Sequence, residues 1–251
     1  MKDKVAIVTG AGQGIGLAVC VKLAQAGVRV VLNDIDKALC EAAARQVNDV
    51  HSNACISYAG DSADLEVIKG MIDLAMEHFG SLDIVVANSG ITHFGDFHAI
   101  TEVDFDAVMR VNLKGTFFLC QQASEMMIKQ GRGGSMVLMS SVVGHVAHKH
   151  LAAYSMTKAA IEMLAKNLVV ELAPYQIRVN AVAPGATLTE RTTEDAAYQK
   201  VWSTITPLGQ AASVQDIAEA VYFFCSDAAQ HITGQSLVID GGWSSVAVQP
   251  A

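Results

Sequence analysis

Tyr154 and Lys158 stand one helical turn apart in the segment Tyr154-Ser155-Met156-Thr157-Lys158. On a helix, side chains at i and i+4 share a face and can interact. A free tyrosine ionises near about pH 10, which makes it a poor proton-transfer group at neutral pH. A neighbouring ammonium favours the phenolate and lowers that value. The pair then becomes a general acid/base usable near pH 7. Tyr and Lys at this spacing also decorate ordinary solvated helices, so the pair needs a second feature to act on. The glycine-rich turn Thr9-Gly10-Ala11-Gly12-Gln13-Gly14-Ile15-Gly16 supplies one.

That turn follows a short apolar run and opens a helical one. This is the context in which backbone N–H groups at a helix N-terminus hold a pyrophosphate. Its spacing is Gly-x-x-x-Gly-x-Gly on Gly10, Gly14 and Gly16, with Gln13 and Ile15 in the turn, and not Gly-x-Gly-x-x-Gly. The next apolar run ends in Asn33-Asp34. A carboxylate there can accept hydrogen bonds from both hydroxyls of an adenosine ribose and would repel a 2′-phosphate. The glycine turn holds no Arg or Lys, and Ile35 follows the aspartate directly. NAD is therefore the expected cofactor, with NADP the less favoured one, since Arg29 and Lys37 lie near.

The elements that must position these residues alternate along the chain. Strand-like runs are Val5–Thr9, Val28–Leu32, Ala54–Tyr58, Ile84–Ala87, Met136–Met139, Val179–Val182 and Leu237–Ile239. Helical periodicity covers Ile15–Ala26, Lys37–Asn48, Leu65–Phe79, Ala152–Leu172 and Val214–Cys225. A longer helical stretch runs from about Val103 to Lys129, with a candidate break near Asn112. Continuous apolar strands separated by helices mark a parallel sheet covered on both faces. The expected fold is a single α/β domain over residues 1–251, with a doubly wound parallel sheet of the Rossmann type and about seven strands. The polar stretch Thr189–Thr206 shows no clear strand and is expected to be a short lid over the site.

Composition narrows the function classes. The chain has 251 residues, of which 51% are hydrophobic and 17% charged, as suits one large core. A net charge of -8 without a long basic run argues against nucleic acid as a partner. No apolar run approaches the ~20 residues of a membrane span, and the glycines of the first turn disfavour a signal peptide. Cys20, Cys40, Cys55, Cys120 and Cys225 are scattered, with no Cys-x-x-Cys pair. They suit reduced, buried thiols in a cytoplasmic protein.

With these residues in place, the chain from Val5 to Gly242 resembles the short-chain dehydrogenase/reductase family. Thr9–Gly16 resembles the family's cofactor turn. Asp61 in Gly60-Asp61-Ser62 matches the position that contacts adenine. Ala87-Asn88-Ser89-Gly90 resembles its Asn-Asn-Ala-Gly segment at Asn88 and Gly90, while Ala87 and Ser89 depart from it. Pro184-Gly185-Ala186-Thr187-Leu188-Thr189 resembles the segment lining the nicotinamide, where a branched aliphatic is commoner than Thr187. Asn112, Ser141, Tyr154 and Lys158 match the catalytic positions. The resemblance implies hydride transfer between nicotinamide and a carbinol or carbonyl carbon. Tyr154 would be the acid/base, and Lys158 its tuner and the ribose ligand. Ser141 would stabilise the reacting oxygen, and Asn112 would hold a relay water. The resemblance also implies a homotetramer built on the helices near Val103–Lys129 and Ala152–Leu172.

The substrate has no readable code. His93 and His148 are candidates for binding substrate hydroxyls, or else solvated loop residues, and Trp202 is a candidate for closing over the substrate. His145, His148 and His150 lack an acidic or cysteine companion in their segment, so no metal is expected. The leading expectation is an NAD-linked dehydrogenase of a small secondary alcohol, with a sugar or polyol as the candidate. The alternatives are a 3-oxoacyl-carrier-protein reductase and, in another class, a nicotinamide-binding sensor without catalysis. An intact set of Asn112, Ser141, Tyr154 and Lys158 weighs against the sensor.

Overall fold

A computed structural model describes residues 1–193 and 195–246. In chain order the elements are β1 (Val5–Val8), α1 (Gly14–Gln25), β2 (Arg29–Asp34), α2 (Lys37–Val50), β3 (Cys55–Ala59), α3 (Leu65–Phe79), β4 (Ile84–Ala87) and α4 (Glu102–Val108). There follow a π-helical segment Met109–Gly115, α5 (Thr116–Gln130), β5 (Gly134–Met139), α6 (Ala152–Leu172), β6 (Ile177–Pro184) and β7 (Thr187–Leu188). The chain continues through α7 (Glu190–Thr193), α8 (Ala196–Ile205), β8 (Ala212–Ser213), α9 (Val214–Cys225) and β9 (Ser236–Ile239).

Seven strands form one parallel sheet in the order β3-β2-β1-β4-β5-β6-β9. Its strands are apolar throughout because both faces are covered. Along β1, Ala6 and Val8 enter the core beneath α1, α2 and α9, while Val5 and Ile7 enter the core beneath α3, α5 and α6. The strand order reverses between β1 and β4. Their C-terminal ends therefore splay apart, and in open α/β sheets ligands bind in that crevice. The glycine turn leaves β1 there, and Asn88 and Gly90 leave β4 there.

The structure refines several expectations. The second strand runs on through Asn33 and Asp34, which pair with Tyr58 and Ala59 of β3. Asn33 tolerates burial because its amide donates to the carbonyls of Tyr58 and Gly60, at 2.9 and 3.0 Å. The sixth strand is longer than Val179–Val182, running from Ile177 to Pro184. The candidate break at Asn112 is a π-helical turn inside a continuous helical run, a device that inserts one extra residue and re-aims a side chain.

The stretch 189–206, expected as a lid without strands, contains the short helices α7 and α8. Just outside it, β7 pairs with β8 and ties its base together. Thr192 Oγ donates to the Thr187 carbonyl at 3.0 Å and accepts from Thr189 N–H at 2.7 Å, which stiffens the start of this stretch. The lid expectation at residue 194, and any part of the C-terminal tail at 247–251 in shaping the pocket, lie outside the described residues. Among the described residues no helix is long and apolar enough to cross a membrane.

Candidate active site

The glycine turn is shaped to receive a ligand's backbone-hugging anion. Gly10 and Gly14 hold left-handed φ values of 60° and 62°, which favour glycine. Gly16 is required for another reason. A Cβ there would lie 2.5 Å from the Gly10 carbonyl and 2.6 Å from Asn88 Nδ2. Asn88 Nδ2 donates to the carbonyls of Thr9 and Gly10, at 2.9 and 2.8 Å, and so fixes the turn to the end of β4. Thr9 Oγ accepts from the backbone N–H groups of Asn88 and Ser89. These bonds leave the N-terminus of α1 open toward the crevice, where its free N–H groups and dipole favour an anion.

Asp34 closes the far end. Its Oδ2 accepts from Gly12 N–H at 2.9 Å and its Oδ1 from Asp36 N–H at 3.1 Å. Gly12, outside the three glycines that define the spacing, is needed because a Cβ would lie 2.8 Å from Asp34 Oδ2. Asp61 stands beyond β3, with Arg110 from the π-helical segment donating to its carboxylate. Desolvation works to raise the Asp61 pKa. The Ala63 N–H, the Arg110 hydrogen bond and the charges of Arg110 and Lys114 outweigh it and hold the carboxyl below its usual range.

Tyr154 and Lys158 lie on α6 with their side chains in the same crevice. Lys158 Nζ sits 5.4 Å from the centre of the Tyr154 ring and is itself buried. It donates to the Met139 carbonyl, the last of β5, at 2.7 Å. Ser141 follows at the head of the next turn. Its Oγ accepts from Val143 N–H and donates to the Pro184 carbonyl, both at 3.4 Å. These long contacts leave the hydroxyl free to turn toward a reacting oxygen.

Asn112 is fully buried behind this group. Its Oδ1 accepts from Ile91 N–H at 2.8 Å, and its Nδ2 donates to the Ile91 carbonyl at 3.0 Å and to Thr157 Oγ at 3.1 Å. Thr157, which the sequence reading passed over, donates in turn to the Tyr154 carbonyl at 2.7 Å. The π-helical turn is thereby joined to α6 at the residue before Lys158. A hydroxyl one turn after a tyrosine and adjacent to a lysine was the available signal.

One crevice of about 580 Å³ is lined by every cofactor position named from the sequence: Gly10, Gln13, Gly14, Ile15, Gly16, Asp34, Asp61, Ser62, Asn88, Gly90, Tyr154, Lys158, Pro184, Gly185, Thr187 and Thr189. Ser141 lines it as well. Asn112 lies behind the wall. Arg110, Met139, Glu190, Arg191 and Tyr198 also line the crevice and were not singled out from sequence.

The three substrate candidates do not line it. His93 Nδ1 stands 3.6 Å from Asp104 Oδ1, and His148 Nδ1 donates to the neighbouring Lys149 carbonyl at 2.8 Å. Trp202 packs edge-on against Trp243, with centroids 5.3 Å apart, and so fastens α8 to the chain after β9. The five cysteines are free and buried, and desolvation pushes Cys55, Cys120 and Cys225 up to about 12. Such thiols are not nucleophiles at neutral pH. Among the described residues no group of three or more His, Cys, Asp or Glu is placed to hold a metal.

Comparison with known proteins identifies the family. The family profile described as enoyl-(acyl carrier protein) reductase matches residues 10–244. The chain is 38% identical to versicolorin reductase of Emericella nidulans, over 96% of each chain. It is 34% identical to an L-rhamnose 1-dehydrogenase (NAD(P)(+)) of Sphingomonas, over 96% of each. Among solved structures, a gluconate 5-dehydrogenase from Burkholderia cenocepacia, in complex with NADP and tartrate, superposes with a TM-score of 0.91 at 33% identity, over 98% of this chain and 97% of that one. The chain belongs to the short-chain dehydrogenase/reductase family of oxidoreductases, which use a nicotinamide cofactor. The positive-φ glycines and the open N-terminus of α1 at the crevice fit the pyrophosphate of such a cofactor.

Gly16→Ala is expected to destabilise the fold by about 1–3 kcal/mol, the cost of overpacking against fixed backbone, and to weaken NADH binding by displacing the turn from Asn88. Fluorescence titration of the folded variant with NADH measures this, and an unchanged Kd would show that the turn does not hold the cofactor.

Proposed function

We propose that the protein is an NAD(H)-dependent dehydrogenase that interconverts a secondary alcohol and a ketone, with Tyr154 as general acid/base. The observation that carries this reading is the placement of Tyr154, Lys158 and Ser141 on the crevice whose other end is the glycine turn and Asp34. When bound, the nicotinamide accepts the hydride in oxidation and supplies it in reduction. The rest is the work of the chain. Tyr154 takes the hydroxyl proton of the alcohol, or returns one to the ketone oxygen. Lys158, whose head group lies beside the Tyr154 ring, binds the nicotinamide ribose. Ser141 donates to the reacting oxygen and stabilises the charge that develops there. Asn112 keeps Ile91 and α6 in register and, with one lone pair of Oδ1 left, holds the water that links Lys158 to solvent.

The preference for NAD rests on Asp34, whose carboxylate is oriented by Gly12 and Asp36. Asp61, Ser62 and the base of the lid would flank the adenine and nicotinamide ends. Residues 189–206 would close over the substrate, and Tyr198, half-buried on the crevice wall, is the lid residue best placed to meet it. The relatives' names favour a sugar or polyol, with rhamnose and gluconate in two of them, while a third names versicolorin. The exposed Phe117, Met163 and Val170 on α5 and α6 support the homotetramer, which sedimentation as a monomer would refute. The buried free thiols favour a reducing compartment such as the cytoplasm.

The test is NADH formation from NAD across sugars, polyols, hydroxysteroids, hydroxy acids and 3-hydroxyacyl thioesters, with aromatic ketones assayed in reverse. Tyr154→Phe is expected to lower turnover of any active substrate by about 10²–10⁴-fold and to leave NADH binding nearly unchanged. Near-normal turnover in that variant would contradict the assignment. Asp34→Ala is expected to cut the NAD-over-NADP preference by about tenfold or more, as loss of hydrogen bonds to a charged group implies. An unchanged preference would mean that another residue reads the ribose.

A further inference from the structure

Glu162 lies one turn beyond Lys158 on α6, and its side chain is only 11% exposed. A carboxylate so placed requires donors. Both come from the segment that carries Ser141. Ser140 Oγ donates to Glu162 Oε1 at 2.7 Å, and His145 Nε2 lies 2.8 Å from the same oxygen. Ser140 and His145 bracket Ser141, so a single carboxylate oxygen gathers both ends of the Ser140–His145 segment onto α6.

Three further contacts tighten the arrangement. The Lys158 carbonyl lies 3.0 Å from Ser140 Oγ, so that hydroxyl faces two acceptors with one proton, and the charged one is closer. Ser236 Oγ at the start of β9 lies 3.3 Å from His145 Nε2. A Cβ on Gly144 would stand 3.1 Å from Glu162 Oε1 and from the backbone of Lys158 and Ala159, so the segment runs directly against the helix. The neighbouring Met139 carbonyl holds the Lys158 head group. The end of β5 thus grips α6 at the lysine's tip through Met139 and at the helix's flank through Ser140.

We infer that Glu162, with Ser140 and His145, is a positioning device that fixes the Ser141 segment against the helix bearing Tyr154 and Lys158. This rests on the proposed reaction. Glu162 touches neither cofactor nor substrate and acts through Ser141. Its loss changes the rate of the chemical step more than it changes binding, because misplacement by about 1 Å can cost as much as 10²-fold in rate.

The test uses the alcohol found active with the wild-type enzyme. Glu162→Leu is expected to lower kcat about tenfold or more, with the substrate KM and the NADH Kd within about twofold. Glu162→Gln, whose amide oxygen still accepts from Ser140 and His145, is expected to recover most of the rate. His145→Ala added to Glu162→Leu is expected to cost nothing further, as for groups acting as one unit. A wild-type kcat in Glu162→Leu, or a Gln variant as slow as the Leu variant, would overturn the inference. If Glu162→Leu does not fold, Ser140→Ala serves in its place, with a fall in kcat at unchanged NADH affinity expected and an unchanged kcat contradictory.

If no alcohol or ketone is turned over by the wild type, the proposed reaction fails, and the device is tested separately by hydrogen exchange. Faster exchange confined to 141–146 in Glu162→Leu then supports the clamp, and unchanged protection refutes it.

Discussion

The site is organised around the burial of one lysine head group. Lys158 Nζ carries three donors and, among the described residues, finds one fixed acceptor, the Met139 carbonyl at 2.7 Å. Removing a charged group from water is unfavourable unless its remaining hydrogen bonds are met. The other two N–H groups have only the crevice to turn to. Gly90 keeps that space clear, since a Cβ there would approach to 3.4 Å of both Lys158 Nζ and Asn112 Oδ1. In the proposed reaction the missing partners are the ribose hydroxyls of the cofactor and a water held beside Asn112.

The sheet supplies the position. β5 ends at the Met139 carbonyl, β4 at Asn88 and β1 at the glycine turn, so three neighbouring strand ends define the crevice. Short polar contacts tie the surrounding elements together: Asn88 joins the end of β4 to the turn, Asn112 joins the π-helical turn to Ile91, and Thr157 links Asn112 to the Tyr154 carbonyl on α6. Asn88 sits where β4 stops, Asn112 in the π-helical turn and Thr157 on α6, and each is tied to a backbone group. Asp34 and its Gly12 contact extend the same logic to the end of β2.

What the sequence makes legible follows from how local the cause is. The Tyr154–Lys158 spacing, the turn at Gly10, Gly14 and Gly16, and the alternation of apolar strands with helices depend on near neighbours, and all stand in the structure as expected. Ser140, Glu162 and Thr157 were missed because their partners lie far along the chain, as with Ser140 and Glu162 or Asn112 and Thr157. The sequence marks a candidate break near Asn112 but not its kind: the turn is π-helical, and Asn112 within it bonds to Ile91 across the fold. In the stretch 189–206, α7 escaped a reading based on apolar periodicity because it is short and polar. The histidines show the converse. His93 and His148 looked suited to a substrate by type, but the crevice wall is formed by others.

The most direct measurement of this account is NADH binding, together with turnover, for Lys158→Met, which keeps the length and apolar stem of the side chain and removes its donors. The account predicts that both fall together, with NADH affinity weakened about tenfold or more, as the loss of a charge-assisted hydrogen bond implies, and turnover lost. Wild-type NADH affinity and turnover in a folded Lys158→Met protein would contradict it.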